Sequence, residues 1–341
     1  MILAAGLGTR LQPLTDRTPK PLLPLMLVPM VGHLLAQLRC QGVREVVING
    51  HHLADRLAAR LGDGSRWGLR LAFAHEPEIL GTAGALKNAE SLLQGAPFLV
   101  INADVLADFD LQALWAWHRA RGALVTMVVR PDPAARIFGA VVVDECDRVR
   151  RISGHPKALD VGPGEGETIF TGIQIVEPQV LAAIPANRFA STTADTYPRL
   201  LQDGQPVLAY RHHGYWLDVG VPERYLQAHW DLLDGALGTS WEGRLPAGSR
   251  VVRGTGKQRL NDAILNPPVV LGADVTLAAG ARVGPYAVLG PGCRLEPNVE
   301  VRESVLGDHA TIGAGAVLRR CILGPGVRIP SGQSLQEERL V

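Results

Sequence analysis

Apolar residues in this chain first fall in short unbroken runs alternating with helix-period stretches, then settle into a six-residue beat beyond about residue 260. Residues 2–5 read as a strand ending in a glycine-bearing loop. Met30, Val31, Leu34, Leu35 and Leu38 recur at helical spacing, and Gly42 stands where a C-cap belongs. Residues 44–49 and 69–74 read as strands, and 53–61 and 83–93 as helices. Residues 97–102 form an unbroken apolar run, the mark of a strand covered on both faces, and 111–120 return to helical spacing. This alternation predicts an α/β domain with a Rossmann-like, mostly parallel sheet and helices on both faces. Ligands of such sheets bind at the carboxyl ends of strands, so the loop after Ala5 and the carboxylate of Asp104 are placed to meet.

From residue 123 to about 152 strands follow one another with little helix between them. Residues 138–144 and 148–152 read as a hairpin turning near 145–147, and 168–176 as a further strand. A short helix is expected over 179–183 and another over 193–202, despite Pro198. Residues 216–219 precede a helix that opens with Pro222 and runs to about 233. A first domain is therefore expected over 1–234 and a Gly-, Ser- and Thr-rich connector over 235–261. In the remainder, Leu265, Leu271, Leu277, Val283, Leu289, Leu295 and Val301 fall every sixth residue. The step shortens by one to Leu306, returns to six through Ile312 and Leu318, shortens again to Leu323 and ends at Ile329. That beat predicts a β-solenoid over 262–341, with about three hexads per coil and roughly four coils.

With 341 residues, 47% of them hydrophobic and 20% charged, the composition suits a globular protein of two domains. A net charge of +1 leaves no electrostatic footprint for nucleic acid or a membrane surface. Four scattered cysteines without a C-x-x-C pair read as reduced thiols. There is no apolar run of membrane-spanning length and no basic stretch leading into a signal-type core. A cytoplasmic protein without nucleic-acid or membrane partners is expected.

The candidate chemistry starts at Leu3-Ala4-Ala5-Gly6-Leu7-Gly8-Thr9-Arg10-Leu11-Gln12-Pro13-Leu14-Thr15, followed by Pro19-Lys20-Pro21. Gly6 and Gly8 let backbone N–H groups form a nest for an anion, and Arg10 and Lys20 supply charge for a polyphosphate. The third glycine of a dinucleotide fingerprint is absent, as is the G-K-[ST] of a Walker loop. A bare G-x-G also serves ordinary turns; the whole string is far more specific. It resembles the signature of the sugar-1-phosphate nucleotidylyltransferases, L-A-A-G-x-G-T-R-L-x-P-L-T followed by P-K-P, at every position. Enzymes of that family join a nucleoside triphosphate to a sugar 1-phosphate and release pyrophosphate. The family has a few residues before Ile2, so the first strand is either short or preceded by more chain. The six-residue beat resembles the hexapeptide repeats of left-handed parallel β-helices.

The nucleophile in such a reaction is a phosphate oxygen, already anionic, so the site needs electrostatic stabilisation and positioning rather than a general base. The resemblance implies Mg²⁺ held by Asp104, in Asn102-Ala103-Asp104 where the family has N-G-D, and by Asp218, in Trp216-Leu217-Asp218-Val219-Gly220. On the residues alone either aspartate could instead cap a turn or helix, although Asp218 stands too early for the helix at Pro222. Arg10 is implied to hold the β- and γ-phosphates and Lys20 the α-phosphate, forming with Asp104 the catalytic set. Ala4, Ala5, Gly6, Gly8, Thr9 and Asn102 are implied to line the nucleotide. So are Gly81 and Thr82, in a segment from Glu76 resembling E-x-x-x-L-G-T-A-G-A-L, with the positive end of the following helix beside the nucleoside. Gly139, Thr171 and Gly172 match the sugar-phosphate side.

One segment departs from the family. Its E-K-P is replaced by Gly154-His155-Pro156, leaving Lys157 or His155 for the sugar phosphate and putting the sugar's identity and the catalytic strength in question. The L-G-T-A-G-A-L segment and the length lean towards mannose-1-phosphate guanylyltransferases using GTP. Enzymes for glucose 1-phosphate with UTP, dTTP or ATP, or for heptose or N-acetylmuramate 1-phosphate, stay open. A non-catalytic sensor of nucleotide sugars is one rival, favoured by the lost E-K; a bifunctional acetyltransferase using His309, the one histidine of the solenoid, is another. The solenoid is expected to serve assembly or regulation, with a homo-oligomer formed through it.

Overall fold

The computed structural model describes residues 1–93, 95–133, 135, 139–152, 167–237 and 251–341. In chain order the first elements are β1 Ile2–Leu3, β2 Pro24–Leu25, β3 Val28–Pro29, α1 Met30–Cys40, β4 Glu45–Gly50, α2 Ala54–Leu61 and β5 Arg70–His75. There follow α3 Gly81–Asn88, α4 Glu90–Leu93, β6 Phe98–Asn102, β7 Val105–Ala107, α5 Leu111–Arg121, β8 Val125–Pro131, β9 Ala140–Val143 and β10 Val149–Ile152. Next come β11 Glu167–Val176, α6 Tyr197–Gln202, β12 Val207–Arg211, β13 Trp216–Asp218 and α7 Pro222–Leu233. Contacts group Met1–Leu7 with Leu34–Asp218 in one compact unit, and Gly8–His33 with Val219–Val341 in the other.

Among the described residues, the first unit is built on a nine-stranded sheet. Its Rossmann-like part is the parallel set β6-β1-β4-β5, with Ile2 beside Ile101 on one edge and Ile48 on the other. These residues are almost wholly buried, as their unbroken apolar runs require. The sheet then changes character at β11, which runs antiparallel to β6, β8 and β9. Its register slips between Phe170 and Gln174, a bulge that matters for the site below. The expected hairpin is present as β9–β10, its turn fastened by Asp144, whose carboxylate accepts from the N–H groups of Cys146 and Arg148. Asp110 caps α5 by accepting from Ala113 N–H at 3.0 Å, and Gly122 ends it at φ 59°.

Two expected helices differ in detail. The stretch 83–93 is broken at Ala89 into α3 and α4. Residues 193–202 form a wide turn, Thr192–Thr196, before α6, because Pro198 has no N–H to donate and is tolerated only in a first helical turn.

The second unit contains the left-handed parallel β-helix. Among the described residues, its strands stack into three parallel sheets of six, five and four strands. Val269 pairs with Ala287, eighteen residues on, whereas Val305 pairs with Ile322, seventeen residues on. The two shortened steps in the sequence are therefore two narrower coils. The Ser304 hydroxyl serves that narrowing, donating to Arg302 O at 2.6 Å and accepting from Cys321 N–H at 3.0 Å. The beat residues from Leu271 to Leu323 point inward and are almost fully buried. The stack holds more coils than the four expected, since its first rung, Val251–Arg253, lies within the stretch that reads as connector. Arg253 and Arg259 occupy the beat positions there, which hides the repeat. Cys293 and Cys321 fill the solenoid core, and burial pushes the Cys293 thiol up to about 12.

One solenoid face has apolar residues pointing outward as well. Val270, Val288, Val305 and Ile322 alternate with inward residues, yet each is buried. Against this face lies α7: the Trp230 ring packs 5.9 Å from Tyr286 and under the Arg320 guanidinium at 5.3 Å. The Tyr286 hydroxyl donates to Asp234 at 3.1 Å, and Arg339 donates to Glu223 at 2.7 Å.

Candidate active site

The parallel strands of the first unit end on one edge, and their last residues are joined by hydrogen bonds. Ala4 N–H, at the exit of β1, donates to Asn49 Oδ1 at 2.7 Å. Asn49 Nδ2 donates to Glu76 Oε1 at 2.6 Å, and Glu76 Oε2 accepts from Leu80 N–H at 3.1 Å. Glu76 is fully buried, so this carboxylate ties the start of the glycine loop to the segment entering α3. The network was not singled out from the sequence. Its signal was there in part, for Asn49 breaks an apolar run at the carboxyl end of a strand and Glu76 directly follows the next one.

Next along the edge, Asn102 pairs with Leu3 and meets Gly172, which stands at φ 79° in the β11 bulge. A Cβ on Gly172 would come 2.6 Å from Asn102 Nδ2, so glycine is required there for Asn102 to keep its place. Gly139, at φ 95°, lies one residue before the Ala140–Ile169 pair. Thr171, expected as a contact for the sugar phosphate, turns its side chain inward and donates to Val128 O at 2.7 Å. Its carbonyl instead accepts from Trp216 Nε1 at 2.9 Å, tying β11 to β13. Arg130, which the sequence reading passed over, spans this region, with its guanidinium 5.6 Å from the Trp216 ring and 3.3 Å from Trp216 O. Lys157, with Gly154 and His155, lies outside the described residues.

The two aspartates are brought together. Strands β7 and β13 pair antiparallel with Asp218 opposite Val105, the residue after Asp104. The Cα atoms of Asp104 and Asp218 are therefore no more than about 9 Å apart. Both residues are half-buried. Asp108 is engaged elsewhere, with an oxygen 3.2 Å from His212 Nε2.

The segment from Gly81 packs closely on residues 190–192. Gly81 stands at φ 73°, where a Cβ would lie 2.6 Å from Ala190 O. The N–H groups of Ala83 and Gly84 both donate to that carbonyl, at 2.9 and 3.1 Å, and the hydroxyls of Thr82 and Thr192 lie 3.0 Å apart. Two N–H groups of the first turn of α3 are thus bonded to Ala190 O, and Gly81 and Gly84 allow that close packing.

In the second unit, Gly8 at φ 67° starts a single 3₁₀ turn, Thr9–Leu11. Its carbonyl accepts from Leu11 N–H and from the Thr15 hydroxyl, both at 2.9 Å. A Cβ on Gly8 would lie 3.0 Å from Thr15 Cγ2 and 3.2 Å from Lys20 Cβ, so the loop closes tightly around residues 15 and 20. Gly6, by contrast, has open space where a Cβ would go. Buried Leu11, Leu14 and Thr15 anchor the loop, while Thr9 and Arg10 are exposed. The predicted residues therefore fall in two sets, Ala4 to Gly6 with Asn102, Asp104 and Asp218 in the first unit and Gly8 to Lys20 in the second.

A family model described as nucleotidyl transferase matches residues 1–235. The chain belongs to this family. A second model, the GlmU-like C-terminal hexapeptide, matches residues 257–339. The nucleotidyl transferase is 33% identical to a mannose-1-phosphate guanylyltransferase of Mycobacterium tuberculosis, over 94% of this chain and 82% of the relative. It is 30% identical to a UTP–glucose-1-phosphate uridylyltransferase of Synechocystis, over 93% and 85% of the two chains. Among solved structures, HddC from Yersinia pseudotuberculosis matches with a TM-score of 0.57 and 26% identity, over 68% of this chain and 97% of that one. The protein is accordingly a sugar-1-phosphate nucleotidylyltransferase, transferring a nucleoside monophosphate from a triphosphate to a sugar 1-phosphate with loss of pyrophosphate.

The family generally uses a divalent metal. No group of three or more His, Cys, Asp or Glu side chains suited to a metal occurs among the described residues. A pair of oxygen donors fits a hard cation that takes one or two carboxylates and fills its shell with phosphate oxygens and water.

Proposed function

We propose that this enzyme transfers a guanylyl group from GTP to mannose 1-phosphate, with Mg²⁺ as its metal. The observation that carries the proposal is the similarity to the M. tuberculosis mannose-1-phosphate guanylyltransferase, which runs through both halves of the chain. Mannose-1-phosphate guanylyltransferases of Oryza sativa and Arabidopsis thaliana match over 96% of it as well.

In this reading Asp104 and Asp218 hold the metal, which offsets charge on the α-phosphate and the departing pyrophosphate. Arg10 binds the β- and γ-phosphates, and Lys20 the α-phosphate as charge builds there. The backbone from Ala4 to Thr9 cradles the triphosphate, and Asn102 orients the nucleotide. Gly81 and Thr82 shape the wall of the nucleoside site through their packing on residues 190–192. Gly139, Gly172 and the Thr171 backbone border the sugar phosphate, whose charge Lys157 meets. The catalytic domain is taken as 1–234, with the β-helix beginning at the Val251–Arg253 rung rather than at 262 and running to 341, and a cytoplasmic homo-oligomer formed through it.

Pyrophosphate release across a matrix of nucleoside triphosphates and sugar 1-phosphates tests this. GTP with mannose 1-phosphate is expected to give the highest kcat/KM. A higher value for UTP with glucose 1-phosphate would move the enzyme to the uridylyltransferase side, consistent with the Synechocystis relative. No turnover with any pair would return the protein to the sensor reading.

A further inference from the structure

Helix α7 is gripped on two opposite faces, and both grips lie within one compact unit. Tyr225 and His229, one turn apart, face the segment that follows Lys20. The Tyr225 hydroxyl donates to Pro24 O, and His229 Nδ1 accepts from Met26 N–H at 3.3 Å. Glu223, Trp230 and Asp234 lie on the far side of the helix and are held by the solenoid residues Arg339, Arg320 and Tyr286.

The gripped segment is also held by His33 Nε2 against Leu25 O at 2.9 Å and by burial of Leu23, Leu25 and Met26, so α7 is one of its anchors. Among the described residues, strands β2 and β3 pair only with each other. Their hairpin continues from Lys20 through backbone bonds, Leu23 N–H to Lys20 O at 3.1 Å and Met30 N–H to Leu23 O at 2.9 Å. Lys20 in turn packs under Gly8 of the phosphate loop.

The solenoid side of the grip is itself ordered. Tyr286, Glu303, Arg320 and Glu337 occupy the same corner of successive coils, each with a positive φ between 49° and 58°. Arg320 is fixed between Glu303, at 3.6 Å, and Glu337, at 3.1 Å.

We propose that the solenoid sets the position of Lys20 through helix α7, with Tyr286 and Arg339 acting as positioning residues for the transfer step. The inference rests on the reading of Lys20 as the α-phosphate ligand. It gives the β-helix a part in the chemistry of its own chain, separate from any assembly role. Displacing a charged group by about 1 Å is enough to cost on the order of a hundredfold in rate, so slackening the grip without dissolving it is expected to cost about tenfold.

The test uses the full chain carrying Tyr286→Phe and Arg339→Ala together. The kcat is expected to fall about tenfold, with both KM values within about twofold of wild type, and Arg339→Lys in place of Arg339→Ala should restore most of it. In a Lys20→Ala background the same pair should cause no further fall. Amide hydrogen exchange over residues 20–30 should quicken while the solenoid strands keep their protection, a readout that needs no substrate. An unchanged kcat, an equal loss in the Lys20→Ala background, or unchanged exchange over 20–30 would each overturn the relay. Quickened exchange in a protein without any turnover would uphold the mechanical link and count against the proposed function alone.

Discussion

Asp218 stands opposite Val105 across the β7–β13 ribbon and so reaches within one residue of Asp104. Two motifs more than a hundred residues apart are thereby held by main-chain pairing, whose geometry does not depend on either side chain. Asp104→Asn and Asp218→Asn are expected each to lower kcat by about a hundredfold or more while shifting Tm by no more than a few degrees. Steady-state rates across an Mg²⁺ titration, beside a thermal melt, check this. Wild-type rates in either variant would remove that residue from the metal site.

The two loop glycines should separate stability from activity. Gly8→Ala places a methyl against Thr15 and Lys20 at a left-handed φ, and is expected to cost about 1–2 kcal/mol of stability. Gly6→Ala meets nothing in the protein, so its stability should stay within about 0.5 kcal/mol of wild type while the KM for the triphosphate rises. Denaturant melts and initial rates on both variants decide the order, and the reverse order would contradict the packing described.

Glu76→Gln tests the buried link beneath the glycine loop. Both Glu76 oxygens accept hydrogen bonds, and an amide would set a donor against Asn49 Nδ2 or Leu80 N–H. A loss of about 2–4 kcal/mol is expected by thermal or denaturant unfolding, because the group is wholly buried. A neutral substitution would show that the network relaxes without penalty.

Acid should unfold the second unit's helix contacts through two histidines. Burial lowers His33 to about 4 and His229 to about 3, the latter with help from His33. The unfolded chain takes up protons near pH 6.5 that the folded one refuses, so their contribution is intact above pH 6.5 and is lost progressively down to about pH 4 for His33 and about pH 3 for His229. His229→Asn, which keeps an acceptor near Met26 N–H and removes the titration, should flatten stability against pH across that window. A slope as steep as in the wild type would assign the acid sensitivity to other groups.

Much of the architecture was legible because burial writes periodicity directly. The apolar run of β6 and the six-residue beat from Leu265 to Ile329 each name their own structure. The two short steps in that beat gave the narrower coils residue for residue. What escaped notice depends on partners distant in sequence. The strands β7, with three residues, and β12 carry little pattern of their own and exist through β13 and β8. The first solenoid rung was hidden by Arg253 and Arg259. In the candidate site, the loop and both aspartates could be named from their motifs, whereas the inward turn of Thr171 and the use of Ala83 and Gly84 N–H groups by Ala190 could not. Those depend on a bulge and a close approach that no local spacing encodes.

The outward column Val270, Val288, Val305 and Ile322 bears on how such proteins can be cut and recombined. A hexapeptide coil with a wholly polar exterior could be trimmed or exchanged as a free-standing module. This one presents a stripe of branched aliphatics along one side, and removing the helix that lies against it would leave a sticky, strand-edged surface prone to self-association. A chain cut short near residue 234, or a chimera carrying a foreign solenoid, must therefore redesign that stripe and the matching face of α7 together.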